Sequence, residues 1–363
     1  MKLNNHVFFT SYFNRNVCQF VRELLARCTS VVTFSIFEGA VLLTPFFLII
    51  IFLSFTTSKK NVRKQFFSFL SLFLIIPLLY FFTIGISYKL PSPFAASSNI
   101  NEDELLESAK TLAINISEAS ECDKITDVTK ISEELATSYS SFCKVHGYTG
   151  KIYPRPKKIL FSKILSRMGT LAFYSFLTGE VNINTEIPDY MVPFTIAHEF
   201  AHYVGIASER DANFMAFLAC VNSDNGNVRY SGLLSGLEYL LCDIYKSDRD
   251  TYKDILSLLP ERAVLDMKLY REYSEKYERG FVFSVSDKLN SKHLDVWDKN
   301  GRHSYSSVSS LISDYINSSF SHCIKCSETT VLRSGKWDDL LYAEANHCAV
   351  RSPSGDQKTQ HCQ

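Results

Sequence analysis

The sequence predicts a mainly α fold with a minor β component (α+β): two N-terminal transmembrane helices followed by a helical domain that carries a small β-sheet. Three observations predict it. Two long apolar stretches lie ahead of residue 91, helical periodicity runs through most of the chain beyond residue 100, and a single aromatic, β-branched stretch precedes a pair of histidines at i and i+4. The chain has 363 residues, enough for a membrane anchor and one sizeable domain, and its 46% hydrophobic content averages two unlike parts. Lysines and arginines number 38 and acidic residues 38, so no basic patch points to nucleic acid.

Residues 1–36 form the first element. Val17, Phe20, Val21, Leu24, Leu25 and Cys28 recur at helical spacing within Phe13 to Val32, which predicts an amphipathic helix against a bilayer or a lead-in to the first span. Residues 37–90 hold both spans. Gly39 to Phe55 and Phe66 to Tyr88 are free of charged residues, and each can cross about 30 Å of hydrocarbon as a helix. Between them Lys59, Lys60, Arg63 and Lys64 crowd a short loop, which places that loop in the cytoplasm and everything after Tyr88 outside it. Lys2, Arg15, Arg22 and Arg27 argue for the opposite orientation.

Residues 91–100, opened by Pro91 and Pro93, read as a linker. The domain at 101–319 comes next. Glu104 to Ile116, Ile131 to Val145, Lys158 to Met168 and the region from Leu234 to Ser319 are helical by pattern. Ala172 to Ile187 reads as strand, turned at Gly179 and stopped by Pro188. Such a strand beside a catalytic helix could accept an extended peptide as a further strand. Residues 320–363 are polar and aperiodic. They contain Cys323 and Cys326 and three His-Cys pairs, and a solvated, disordered tail is expected there rather than a second zinc site. Cys122 and Cys143 are candidates for a disulfide if the domain faces an oxidising space.

The chemistry lies in His198-Glu199-Phe200-Ala201-His202. Histidines four apart share one helix face and can ligate one zinc ion, with the intervening glutamate turned to the metal-bound water. Pro193 suits a first helical turn, Gly205 a left-handed cap, and Ser208 with Asp211 a capping box that opens the next helix. Glu209 lies in that first turn as the third ligand. Asn213 lies one turn further along the same stripe and is placed to orient a ligating histidine. A metzincin would carry a third histidine where Ser208 stands, so the spacing favours two histidines and one glutamate.

The runs Tyr174-Ser175-Phe176-Leu177-Thr178-Gly179-Glu180, Pro193 to Glu199, Asp211 to Cys220 and Arg229-Tyr230-Ser231-Gly232 resemble a bacterial membrane family known as domain of unknown function 3810. The resemblance extends from about Glu38 to about Tyr315. His-Glu-x-x-His with the later Glu-x-x-Ala-Asn also resembles the zinc-binding helices of gluzincin peptidases, which implies a zincin-like domain. The sequence departs from the family at Asp211, where Glu is usual, and in lacking a leading hydrophobic helix expected before residue 1.

The resulting expectation is a multi-pass membrane-anchored zinc metallopeptidase with an extracytoplasmic catalytic domain, acting on a peptide or protein. Zn2+ is held by His198, His202 and Glu209, and Glu199 acts as general base. Tyr230 is the first candidate for oxyanion donor and His303 the second. The alternative is a membrane-bound module that binds zinc without turnover. Oligomeric state is not legible in the sequence.

Overall fold

A computed structural model describes residues 2–57, 62–94, 101–122, 127–145, 151–277, 279–298 and 304–323. The chain is mainly helical with one three-stranded sheet, in agreement with the predicted class. The predicted tail from Ile324 onward, His303, and Lys59 and Lys60 of the basic loop lie outside the described residues.

The N-terminal segment forms α1 (Lys2–Phe13) and α2 (Gln19–Thr29), joined by a π-helical turn at Asn14–Cys18. Its burial is inverted relative to a helix in water. Thr10, Asn14, Gln19 and Arg22 are buried, whereas Phe9, Tyr12, Phe20 and Leu24 are exposed. The buried face is polar because it seats on polar backbone. Arg22 donates to Asn14 Oδ1, Gln19 Oε1 and the carbonyl of Thr83 at 3.1, 2.8 and 2.6 Å.

The helix α3 (Ile36–Thr57) is long and apolar enough to cross a membrane, and its apolar side chains are largely exposed. The second apolar stretch corrects the expectation of two spans. It forms α4 (Val62–Tyr80), a π-helical turn at Phe81–Gly85 and a 3-10 turn at Ser87–Lys89, and its shorter apolar stretch, Phe73–Gly85, falls below spanning length. Arg63 and Lys64 occupy the first turn of α4, and Pro77 removes a backbone donor inside it. Beyond that point Thr83 gives its carbonyl to Arg22 and bonds its hydroxyl back to Leu79. The helix is therefore diverted where the N-terminal element grips it.

The sheet has the order β1-β3-β2, from β1 (Lys157–Lys158), β2 (Ala172–Ser175) and β3 (Glu180–Ile183). β2 and β3 form the antiparallel pair foreseen around Gly179, which turns at φ +70°. A Cβ at Gly179 would also sit 2.6 Å from the Ala26 amide nitrogen, so α2 packs directly on this turn. The parallel strand β1 lies at the start of a stretch predicted as helix, whose helical part is confined to α7 (Ser162–Arg167).

Around the sheet lie α5 (Glu102–Ala119), α6 (Val128–Val145), α8 (Met191–Val204), α9 (Glu209–Val221), α10 (Gly226–Ser247), α11 (Arg249–Ser257), α12 (Glu261–Tyr277), α13 (Phe281–Trp297) and α14 (Ser304–Cys323). The core gathers where α10 packs on α5, α8 and α9, and where α14 closes over α5 and α9. Of the cysteine pair considered for a disulfide, Cys143 is buried, Cys122 is exposed and both are free, so no bridge joins them. The packing of α6 accounts for Cys143, because Ile131, Leu135, Tyr139 and Phe142 of that helix share the core with it.

Candidate metal centre

The helix α8 is apolar on most of its circumference and almost wholly buried; only Val192 and His198 escape full burial. A helix of that kind belongs in a core, and its neighbours fix it axially. The Tyr139 hydroxyl donates to the Ala197 carbonyl, and the Tyr139 and Phe200 rings meet edge to face. The helix ends at Gly205, at φ +100°, with Ile206 N bonded back to Ala201 O. This is the left-handed cap that the sequence predicts. A Cβ at Gly205 would lie 2.7 Å from Arg22 Nη2, so the N-terminal element also presses on the end of the metal helix, with a cation at its negative pole.

The turn after Gly205 leads directly into α9. Ser208 occupies the N-cap position but makes no side-chain cap, and the predicted capping box is not formed. The Asp211 carboxylate, the other half of that box, is engaged by Arg210 at 2.8 Å to Nε and 2.7 Å to Nη2. The first-turn amide of Glu209 is satisfied instead by Asp298 Oδ2 at 3.3 Å, just beyond α13.

His198, His202 and Glu209 converge. Their ligand atoms lie within 4.8 Å of one another, the only such group among the described residues. The two Nε2 atoms are 3.1 Å apart, and Glu209 approaches them at 3.2 and 3.6 Å. The opposite ring nitrogens decide what this means. His198 Nδ1 lies 2.8 Å from Asn213 Oδ1 and His202 Nδ1 lies 2.8 Å from the Ile206 carbonyl, both acceptors, so each Nδ1 is the protonated donor. Neutral imidazoles in that tautomer turn both Nε2 lone pairs at each other and at a carboxylate. Three converging Lewis bases need a cation among them, and this donor set fits a metal ion. Asn213 lies one turn along α9 from Glu209 and contacts the His198 ring. Ile206 supplies a partner not foreseen, although the Gly205 turn that aims its carbonyl was legible.

The metal-free electrostatics agree. Burial disfavours a charged His198, but the Glu209 carboxylate outweighs it and holds the imidazole up at about 9. Burial likewise opposes charge on Glu209, yet the hydrogen bond from His198 and the field of His202 pull its carboxyl down to about 2. Without a metal, the pair of shifts favours a proton on His198 shared with Glu209. Because ligation requires neutral His198 and this histidine stays protonated below about 9, metal affinity is expected to rise about tenfold per pH unit up to that value. Competition with a chelating dye at several pH values between about 6.5 and 8.5 checks it, and a flat profile would refute the ligand role of His198.

Glu199 is buried beside the cluster and accepts from the Tyr174 amide. That amide lies on the edge of β2 turned away from β3, which pairs with no further strand among the described residues. Leu171 O and Ser175 O face β3, where Asn184 N and Gly179 N reach them, so the alternate residues Ala172 and Tyr174 turn their amides outward. Burial pushes the Glu199 carboxyl above its ordinary value, against the pull of His198 and His202. Tyr230 is not at the site as expected. It is fully buried, its hydroxyl donates to Asp266 at 2.8 Å, and its ring lies under the Arg262 guanidinium. A helical, apolar neighbourhood made it a core tyrosine, with Asp266 as its partner. Tyr88 and His293 carry no sequence pattern that marks them, and the fold brings them to the site. Their Oη and Nε2 atoms are 3.5 Å apart, and both lie in the field of Glu209.

The family described as "Protein of unknown function (DUF3810)" matches residues 13–313. The chain belongs to this family. No curated protein and no solved structure matches it. The DUF3810 match takes in the inverted N-terminal element from Phe13 onward as well as the whole His198, His202 and Glu209 group. Membership carries no activity, and the chemical reading rests on the side chains themselves.

Proposed function

We propose that this DUF3810 protein is a membrane-anchored zinc peptidase. The observation that carries the reading is the convergence of two imidazoles and one carboxylate beside an acid that ligates nothing. Zinc bonds of about 2.0–2.1 Å at tetrahedral angles separate ligand atoms by roughly 3.3 Å. The three separations here, 3.1, 3.2 and 3.6 Å, bracket that value. Three protein ligands and a Glu209 side chain 35% exposed leave room for solvent, which favours a catalytic over a closed structural site. When bound, the cation supplies Lewis acidity and acidifies a water.

The remaining work falls to the chain. Glu199 takes the proton of the attacking water and returns it to the leaving amine, and its upward-shifted carboxyl suits a group that must do both. Burial keeps His293 below the ordinary histidine value, against the field of Glu209, which favours the neutral imidazole with one N–H to give. With Tyr88 it replaces Tyr230 as donor to the oxyanion. The free edge of β2 receives an extended substrate: the Ala172 amide and the outward carbonyls pair with it, which brings the scissile bond alongside Glu199.

The test is purification of the full chain in detergent, metal analysis, and mass-spectrometric reading of a peptide library. About one zinc per chain and cleavage abolished by chelation, then restored by zinc, are expected. Metal-free protein, or cleavage indifferent to chelation, would overturn the proposal.

A further inference from the structure

We infer that α7 and α13 are seated in the surface of the bilayer that holds α3, so that the metal centre works at membrane level on polypeptide segments emerging from, or lying against, that membrane. The substrate class rests on the peptidase reading; the seat does not. Three observations carry the seat.

The first is position. The Glu38 carboxylate, in the first turn of α3, accepts the amides of Leu160 and Phe161 at 3.1 and 2.9 Å, which ties the start of α7 to the base of that helix. At the other end Tyr80, the last residue of α4, meets His293 of α13 ring to ring at 6.1 Å. Phe283 of α13 packs so closely on Gly169, just past α7, that a Cβ there would stand 2.7 Å from its ring. The two helices therefore flank the base of the apolar pair.

The second is exposure. Leu160 is 84% exposed, Phe281 83%, Val296 71% and Leu289 64%, with Ile164 and Met168 also open. Val264, Leu265 and Leu269 of α12 are exposed too, but the most exposed apolar side chains of the domain lie on the two adjoining elements next to α3 and α4. The third is charge. Lys158, Lys163 and Arg167 alternate with the apolar residues of α7, and no acidic residue falls between Lys158 and Met168. Apolar side chains interleaved with cations are the pattern of elements that lie in an anionic phospholipid interface. That lipid surface is the occupant of this face.

The consequence reaches the site through α13. His293 lies in the field of Glu209, and Asp298, next after α13, holds the Glu209 amide. A helix embedded at headgroup depth thus forms one wall of the metal centre. Soluble chains reach such a cleft less readily than a segment already held at the membrane.

The experiment places single tryptophans in the full chain, reconstituted in vesicles of phosphatidylcholine and phosphatidylglycerol, with Trp297 and Trp337 replaced by Phe. Phe281→Trp and Leu289→Trp are expected to lose most of their fluorescence to lipids brominated near the headgroup. Lys253→Trp on α11 should respond to aqueous acrylamide alone, and Ile49→Trp on α3 to deeply brominated lipid. If Phe281→Trp and Leu289→Trp behave like Lys253→Trp, the seat is refuted while anchoring by α3 stands. Protection from both quenchers would mean a protein cover, a second copy included, and refutes it equally. An Ile49→Trp untouched by lipid removes the membrane itself. For the substrate class, one cleavable segment is attached to a membrane anchor by a short or a long flexible linker. Cleavage several-fold faster with the short linker is expected, equal rates overturn the class, and no cleavage of either, with the quenching as expected, overturns only the peptidase reading.

Discussion

Glu199→Gln is expected to keep its metal and lose peptide hydrolysis by about 10²–10⁴-fold, the usual contribution of a positioned general base. The substitution is nearly isosteric, and the amide oxygen can still accept the Tyr174 amide that Glu199 accepts now, so the strand edge and the helix should stay in register. What disappears is the basicity. Neither ring nitrogen partner of the histidines is Glu199, so zinc content should match the wild type. Metal analysis and cleavage assays on the same preparation separate the effects. Turnover within a few-fold of wild type would eliminate Glu199 as the base, whereas loss of metal would reveal it as part of the ligand shell.

Glu180→Ala is expected to destabilise the fold by about 3–5 kcal/mol, the range for removing one partner of a buried ion pair. Glu180 and Lys157 are 2.5 Å apart and have side chains 0% and 2% exposed. In the variant the buried Lys157 ammonium would have the neutral Thr29 carbonyl, at 2.7 Å, but no carboxylate to balance its charge. The same carboxylate receives the Ile36 and Phe37 amides at 3.0 and 2.9 Å and the Thr178 hydroxyl at 2.8 Å. Those amides open α3 and have no helical partner of their own, so Glu180 acts as a cap donated by the sheet. Replacing both members of the pair by apolar residues should recover only part of the loss, because the α3 amides would still lack an acceptor. Urea unfolding in detergent reads the difference, and a loss under about 1 kcal/mol would show that the pair is not structurally important.

That cap also shows why the role of the sheet was only partly legible. The aromatic run and Gly179 predict a hairpin, and the hairpin is present. No local pattern marks Glu180 as the anchor of a helix that begins 144 residues earlier, or Lys157 as its counter-ion. The strand β1 was hidden for the same reason. Two residues pairing in parallel with β3 carry no periodicity, and the amphipathic residues after them favour a helical reading.

The second apolar stretch makes the case from the opposite side. Composition alone predicts a helix from Phe66 to Tyr88, and the chain obliges until Tyr80. Arg22 then takes the Thr83 carbonyl from across 61 positions, and the regular helix gives way to a π turn. Hydropathy measures the solvent a segment tolerates. It cannot register that a buried guanidinium will claim one of its carbonyls.

Within the candidate site, the sequence by itself determined which side chains converge. His198 and His202 are one helical turn apart, Gly205 ends that helix, and Glu209 and Asn213 lie on the next, so chain geometry over fewer than about five turns brings them together. Only the tertiary structure decided which groups surround them. Tyr230 went into the core because Asp266 offered its hydroxyl a buried acceptor, and the Asp211 carboxylate was drawn to Arg210 rather than into a capping box. Tyr88 and His293 meet beside Glu209 from 205 positions apart. Spacing along a helix is set by covalent geometry and is readable in one dimension. Competition among distant donors and acceptors for the same partner is settled by packing, and only the folded chain records the outcome.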